Sequence, residues 1–203
     1  MKIQEALKEL KKDKRKFSQS IDLIINLRKI DVRKNPINLF LQVPHKIKDV
    51  KVAGFLEEKS NILDTITEKD FSKYKEKKDI RKLAKKYDYL ISNAKLMPKV
   101  ASVFGRVLGP KGRMPSPQTG ILTKESDDDI KKVIEKLNKS VKIRAKEPSI
   151  KVRIGTEEMK EEEIEENIKI VYNGVLKVLP NNKENVKDIL IKLTMSKAIK
   201  IEL

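Results

Sequence analysis

Val100-Ala-Ser-Val-Phe-Gly-Arg-Val-Leu-Gly-Pro-Lys-Gly-Arg-Met-Pro-Ser-Pro117 joins an apolar helical face to a basic loop stiffened by three prolines. Val100, Val103, Phe104, Val107 and Leu108 recur at i, i+3, i+4, i+7 and i+8, the spacing of one buried helix face. Gly109 is predicted to close this helix in the left-handed conformation, and Pro110 to stop it. Pro115 and Pro117 then preset φ, while Gly112 lets the backbone approach a partner closely. Two readings of the loop stand. Lys111 and Arg113 are cations held in position for an anion, or they are solvated charge at an ordinary helix exit.

A helix of this kind needs a layer to lie on, and its neighbours supply one. Val50–Phe55 and Tyr87–Ser92 read as strands, separated by a charged helical segment with Ile80, Leu83, Ala84 and Tyr87 inward. Downstream, Ser126 opens a helix whose core face is Ile130, Val133, Ile134 and Leu137. Ser126 and Asp129 have capping-box spacing, and Asp127, Asp128 and Asp129 suit the positive end of the helix dipole. The three carboxylates are read as a helix start, since nothing nearby supplies further ligands for a metal. Strands alternating with helices predict an α/β layer with parallel pairing.

The flanks read differently. Ile3, Leu7 and Leu10 predict a short helix, followed by alternating strands through Ile21, Leu23, Ile25 and Leu27, and through Ile37, Leu39, Leu41 and Val43. Pro36 and Pro44 bracket the second of these. Strand signals return at Val141–Arg144 and at Ile150, Val152 and Ile154. A helix with Ile164, Ile168, Val171 and Val175 inward follows, its run from Glu161 to Glu166 a solvated face near the dipole's positive end. The chain closes on Ile189, Ile191 and Leu193, then Ile199, Ile201 and Leu203.

Charge narrows the function classes. The 203 residues carry 47 Lys+Arg against 30 Asp+Glu, a formal net charge of +17. Segments 1–47, 48–139 and 140–203 carry +7, +8 and +2, so the surplus lies on folded surface and not on one tail. Such a surplus favours a polyanion, because neutralised phosphates release counterions. Nucleic acid and acidic membrane both qualify on charge. No apolar run approaches the ~20 residues of a spanning helix, so insertion in a membrane is not expected. Cysteine is absent, which excludes disulfides and thiolate metal sites and suits a cytosolic setting.

Gly105 to Pro115 resembles the signature of the L-one family of large-subunit ribosomal proteins, which build the mobile stalk beside the tRNA exit site. The family pattern is Gly-Arg-hydrophobic-Leu-Gly-Pro-Lys/Arg-Gly-hydrophobic-hydrophobic-Pro, and Arg113 departs from it where an apolar residue is common. The likeness covers nearly the whole chain and is closer to the archaeal branch. It implies a discontinuous α+β domain carrying both termini, 1–47 plus 140–203, with an inserted Rossmann-like α/β domain at 48–139. The two crossings, near residues 46–49 and 139–141, would form a hinge. It also implies partners: large-subunit rRNA of the stalk, tRNA at the exit site and the protein's own mRNA, whose translation it would repress. The implied setting is a monomer within the cytoplasmic ribosome, with no membrane.

Three constellations could carry chemistry. In Lys14-Arg-Lys-Phe-Ser-Gln-Ser-Ile-Asp22, cations stand beside an aromatic ring and short hydroxyls, which fits phosphate, base and 2′-OH contacts. The same residues also fit a helix exit and strand start with Phe17 tucked into the core. The resemblance makes Phe17, Ser18, Gln19 and Ser20 rRNA-binding candidates, with Asp22 orienting its neighbours. Second, the hydroxyl of Thr194 can exchange hydrogen bonds with a ribose, and the thioether of Met195 can pack on a sugar or base. Taken alone, these are unremarkable strand-end residues. They match the family's Thr-Met-Gly recognition element, with Ser196 replacing glycine; a turn needing positive φ would strain that serine. Asp188 stands where the family commonly has serine, and Lys151 is expected on the neighbouring strand as a further rRNA contact. Third, Arg106, Lys111 and Arg113 are candidates for tRNA or other RNA contacts.

No catalytic constellation is recognisable. The single histidine, His45, has no nucleophile context and is assigned to the hinge. Gly109-Pro-Lys-Gly112 lacks P-loop spacing, and no GxGxxG follows a strand, so no cofactor is expected. An RNA-modifying enzyme would need a cofactor site. A membrane-surface protein would need a basic amphipathic helix and would bind anionic vesicles in competition with RNA.

Overall fold

The computed structural model describes every residue except Met1, Asp13, Lys14, Arg33, Lys34, Lys75, Lys124, Lys146 and Leu203. Lys14 of the N-terminal basic stretch and the terminal Leu203 therefore lie outside the described residues. In chain order the elements are α1 (Ile3–Leu10), β1 (Ser20–Leu27), β2 (Asn38–Gln42), β3 (Val52–Phe55), β4 (Asp64–Ile66), α2 (Lys77–Lys86) and β5 (Tyr89–Asn93). They continue as α3 (Met97–Leu108), β6 (Ile121–Leu122), α4 (Asp127–Asn138), β7 (Ser140–Arg144), β8 (Ser149–Thr156), α5 (Glu161–Val178), β9 (Val186–Leu193) and β10 (Ile199–Ile201). Two compact units result: Met1–Lys48 with Lys139–Leu203, and Asp49–Asn138.

In the first unit, β10-β9-β1-β8 form an antiparallel sheet, and β2 pairs with β7 in a separate ribbon. Alternation decides the faces. Ile21, Leu23, Ile25, Ile150, Ile154, Ile191 and Leu193 are buried together with Leu7 of α1 and with Ile164, Ile168, Val171 and Val175 of α5. Each such side chain contributes on the order of 1.5–3 kcal/mol by leaving water. The intervening residues of β1, β8 and β9 stay half or fully exposed, so the sheet has one covered and one open face. Among the buried polar side chains of this unit, Asn167 donates to the carbonyls of His45 (3.4 Å) and Ile154 (3.1 Å) and accepts from the His45 N–H. His45 is thereby fixed to α5, and its Nε2 lies 2.7 Å from Glu166.

In the second unit the sheet order is β4-β3-β5-β6, and every pairing is parallel. Ala53, Phe55 and Leu90 bury one face beneath α2 and α3, where Phe71 meets Phe55 and Phe104 edge-on at centroid distances of 5.9 and 5.2 Å, and Phe55 and Phe104 lie tilted at 4.9 Å. On the other face Ile91 meets Val133 of α4 across Gly120, where a Cβ would stand 2.9 Å from both side chains.

Several local expectations need correction. Val103 is 37 % exposed, because it lies at the edge of the apolar arc that Val100, Phe104, Val107 and Leu108 turn inward. Gly109 is right-handed (φ −56°, ψ −59°); the left-handed residue is Gly112, at φ 65°. The Gly112 N–H donates to Gly109 and the Arg113 N–H to Leu108, the paired bonds of a Schellman closure. Pro110 sits inside this turn because its fixed φ is compatible with helical backbone. At the start of α4 the Asp129 N–H bonds Ser126 Oγ, but the short Asp129 carboxylate takes the serine hydroxyl (2.6 Å). Half the capping box forms.

Candidate nucleic-acid interface

At one end of the open sheet, the start of β1 and the end of β9 are clamped together. The Ser20 N–H donates to Thr194 Oγ1 (3.1 Å), the two hydroxyl oxygens lie 2.9 Å apart, and the Thr194 N–H donates to the Ser20 carbonyl (3.1 Å). Gln19 is only 1 % exposed. Its Oε1 accepts from the Met195 N–H (3.3 Å) and its Nε2 donates to Glu157 (3.4 Å), so its amide is turned inward as a positioning group. Phe17, three residues before β1, and Met195, two residues after β9, are 52 % and 64 % exposed, which removes the reading of Phe17 as a core residue. Ser18, Arg15 and Lys16 are exposed beside Phe17 in the chain.

Ser196 is not strained, since Lys29 and Asn182 are the positive-φ non-glycine residues described. Its Oγ instead accepts the Leu193 N–H at 2.8 Å, closing the turn that carries Met195. Lys151 is corrected too: β1 separates its strand from β9, and it sits opposite Ile24. That is four residues along β1 from Ser20, about 13 Å at strand rise. It joins the open face, not the clamp, and pairs with Glu147 at 3.8 Å.

The open face has its own electrostatics, set by pairings between strands distant in sequence. Asp22 lies between Arg153 and Lys192 in register. Burial raises its carboxyl above the ordinary range, with the two cations opposing. At the far end Lys200 lies 2.5 Å from Asp188 and lowers that carboxyl. The alternation of β8 did carry a signal for Arg153, which shares the outward parity of Lys151. Glu157 had none.

In the second unit Arg106 and Lys111 are exposed and have no ion pair among the described residues. Arg113 is held inward, its guanidinium donating to the carbonyls of Tyr87 and, at 3.1 Å, Asp88. Arg106 in the last turn of α3 and the two loop cations therefore do not form one surface group. Among the described residues, no cluster of His, Cys, Asp and Glu could hold a metal, and no helix is long and apolar enough to cross a membrane.

Fold and surface define a basic mixed α/β protein whose strand-end surface suits a polyanionic partner. Residues 7–197 match the Ribosomal protein L1p/L10e family. The chain belongs to that family. It is 36 % identical over 214 residues to the large ribosomal subunit protein uL1 of Pyrococcus horikoshii, covering 99 % of this chain and 95 % of that protein. The uL1 of Pyrobaculum calidifontis is 39 % identical over 212 residues, covering 99 % and 91 %. The affinity is thus with archaeal members, and the chain is a ribosomal protein, not an enzyme.

Proposed function

We propose that this chain binds large-subunit rRNA and builds the mobile stalk beside the tRNA exit site of the cytoplasmic ribosome, as a monomer and without cofactor. The discontinuous unit is the rRNA-binding domain. The inserted unit is a Rossmann-like domain that swings about the two crossings and helps release deacylated tRNA. The same RNA surface represses translation by recognising a similar fold in the protein's own mRNA.

One observation carries the reading. A ring and a thioether, Phe17 ahead of β1 and Met195 just past β9, stand exposed in the segments that flank a strand end whose polar groups are bonded to each other. Holding exposed apolar groups on a rigid base is an arrangement for packing on sugars and bases, which single-stranded and looped RNA offers. Thr194 Oγ1 accepts from the Ser20 N–H, and when its own proton goes to Ser20 it keeps one lone pair that can accept from a ribose hydroxyl.

The test is affinity for a stalk-rRNA fragment against an unrelated RNA duplex across salt concentrations, with Met195→Ala alongside. The thioether makes no hydrogen bond that the fold needs, so the variant should fold normally. Fragment affinity should fall by about 1–2 kcal/mol, in the range of stacking contacts to bases, with duplex affinity unchanged. A specificity ratio near one at every salt concentration would reduce the function to charge.

A further inference from the structure

Helix α2, Lys77-Lys-Asp-Ile-Arg-Lys-Leu-Ala-Lys-Lys86, has a charge arrangement that neither its fold nor the strand-end surface explains. Six of its ten residues are cations, and all six are exposed. Ile80, Leu83 and Ala84 are buried, so at 100° per residue the cations fill the half-turn facing away from the core. Lys82 reaches Asp79 and Lys86 reaches Asp64, each at 3.2 Å. Lys77, Lys78, Arg81 and Lys85 carry no ion pair among the described residues.

The arrangement works against the helix itself. Lys77, Arg81 and Lys85 are like charges at successive i, i+4 positions, which is destabilising. Lys77 and Lys78 also stand at the positive end of the dipole, where anions belong and where Asp79 is the single acid of the first turn. The same chain observes the rule elsewhere: α4 opens on Asp127, Asp128 and Asp129, and α5 on Glu161, Glu162 and Glu163. A solvated face designed for solubility would mix signs, as α5 does further along with Glu165 and Lys169 at 2.7 Å. Local conflict of this kind belongs to functional surfaces.

We propose that the outer face of α2 is a second RNA-binding surface, one that takes the phosphate backbone without reading sequence. Cβ atoms about 5–6 Å apart along the Lys77–Arg81–Lys85 row present long cationic side chains that can follow successive phosphates. An acidic protein segment would satisfy the same charge, but the chain's place in a ribosomal family favours RNA. The inference rests on the RNA-binding reading above and moves the inserted unit's main contact from the 109–117 loop to α2.

The experiment uses the full chain with Lys77, Lys78, Arg81 and Lys85 all changed to Gln, residues of similar helix propensity. A control chain changes Lys131, Lys132, Lys177 and Lys183 to Gln, exposed cations elsewhere that remove the same charge. The α2 variant should bind an unrelated RNA duplex about 10-fold more weakly at low salt. Its plot of log affinity against log salt should become shallower by roughly 2–3. The control should lose less than about 2-fold. The thermal midpoint of the α2 variant should rise by about 2–4 °C as repulsion is relieved. Equal losses in both variants would overturn the proposal in favour of net charge, and no loss in the α2 variant would overturn it in favour of an acidic protein partner. Met195→Ala separates the two readings. If it alone weakens the stalk fragment, the α2 surface falls; if it is silent while the α2 variant weakens the duplex, the strand-end reading falls and α2 stands.

Discussion

Gln19 illustrates what a single buried amide decides. Chain position, between two serines and after an aromatic, predicts an RNA contact, yet the side chain is spent on Met195 and Glu157. Gln19→Leu should keep the volume but leave the Met195 N–H unpartnered, costing about 1–3 kcal/mol of stability. Urea denaturation measures that loss, and a parallel drop in stalk-fragment affinity would show that Met195 depends on it. Asp22 makes a pH-dependent prediction. Its folded carboxyl is raised by burial, so its contribution is fully present below the unfolded pKa and is lost as pH rises through the folded value. Asp22→Asn should therefore be more stable than the parent at pH 7 and indistinguishable from it near pH 3. Equal differences at both pH values would show that Asp22 is not titrating against burial. Neither behaviour is readable locally: the cations flanking Asp22 sit 131 and 170 positions away in sequence, at Arg153 and Lys192.

Elements with sustained periodicity were legible. The 3.6-residue pattern placed α1, α3, α4 and α5, and the two-residue pattern placed β1, β8 and β9 with the correct inward residues. Elements too short to show a period were not: β4 has three residues and β6 two, and both exist because a parallel sheet completes them. The α3 terminus falls between these cases. Glycines at 109 and 112 both offer a left-handed position, and a proline that can continue the turn shifts the choice three residues onward. Gly112→Ala should then cost about 1–2 kcal/mol through left-handed backbone strain. The loss should appear in the second unit's unfolding and leave binding to the stalk fragment untouched, which a thermal melt beside a binding isotherm would establish.

At the scale of the molecule, the two units have separate apolar cores, one built on Ile, Leu and Val around α5, the other on the Phe55–Phe71–Phe104 cluster. Cooperativity follows shared packing, so each core should melt as its own unit, even though the first is assembled from segments before and after the second. Phe104 is fully buried and touches both other rings and Tyr74 at 5.6 Å. Phe104→Ala removes that centre, and large-to-small changes of this type cost about 3–5 kcal/mol. For a unit of this size the loss should lower one calorimetric transition by more than about 10 °C. The other transition should hold its temperature, and stalk-fragment affinity measured between the two transitions should stay at the parent value. A single transition that moves as a whole would mean that the chain's continuity through both crossings, and not the separation of its cores, governs unfolding.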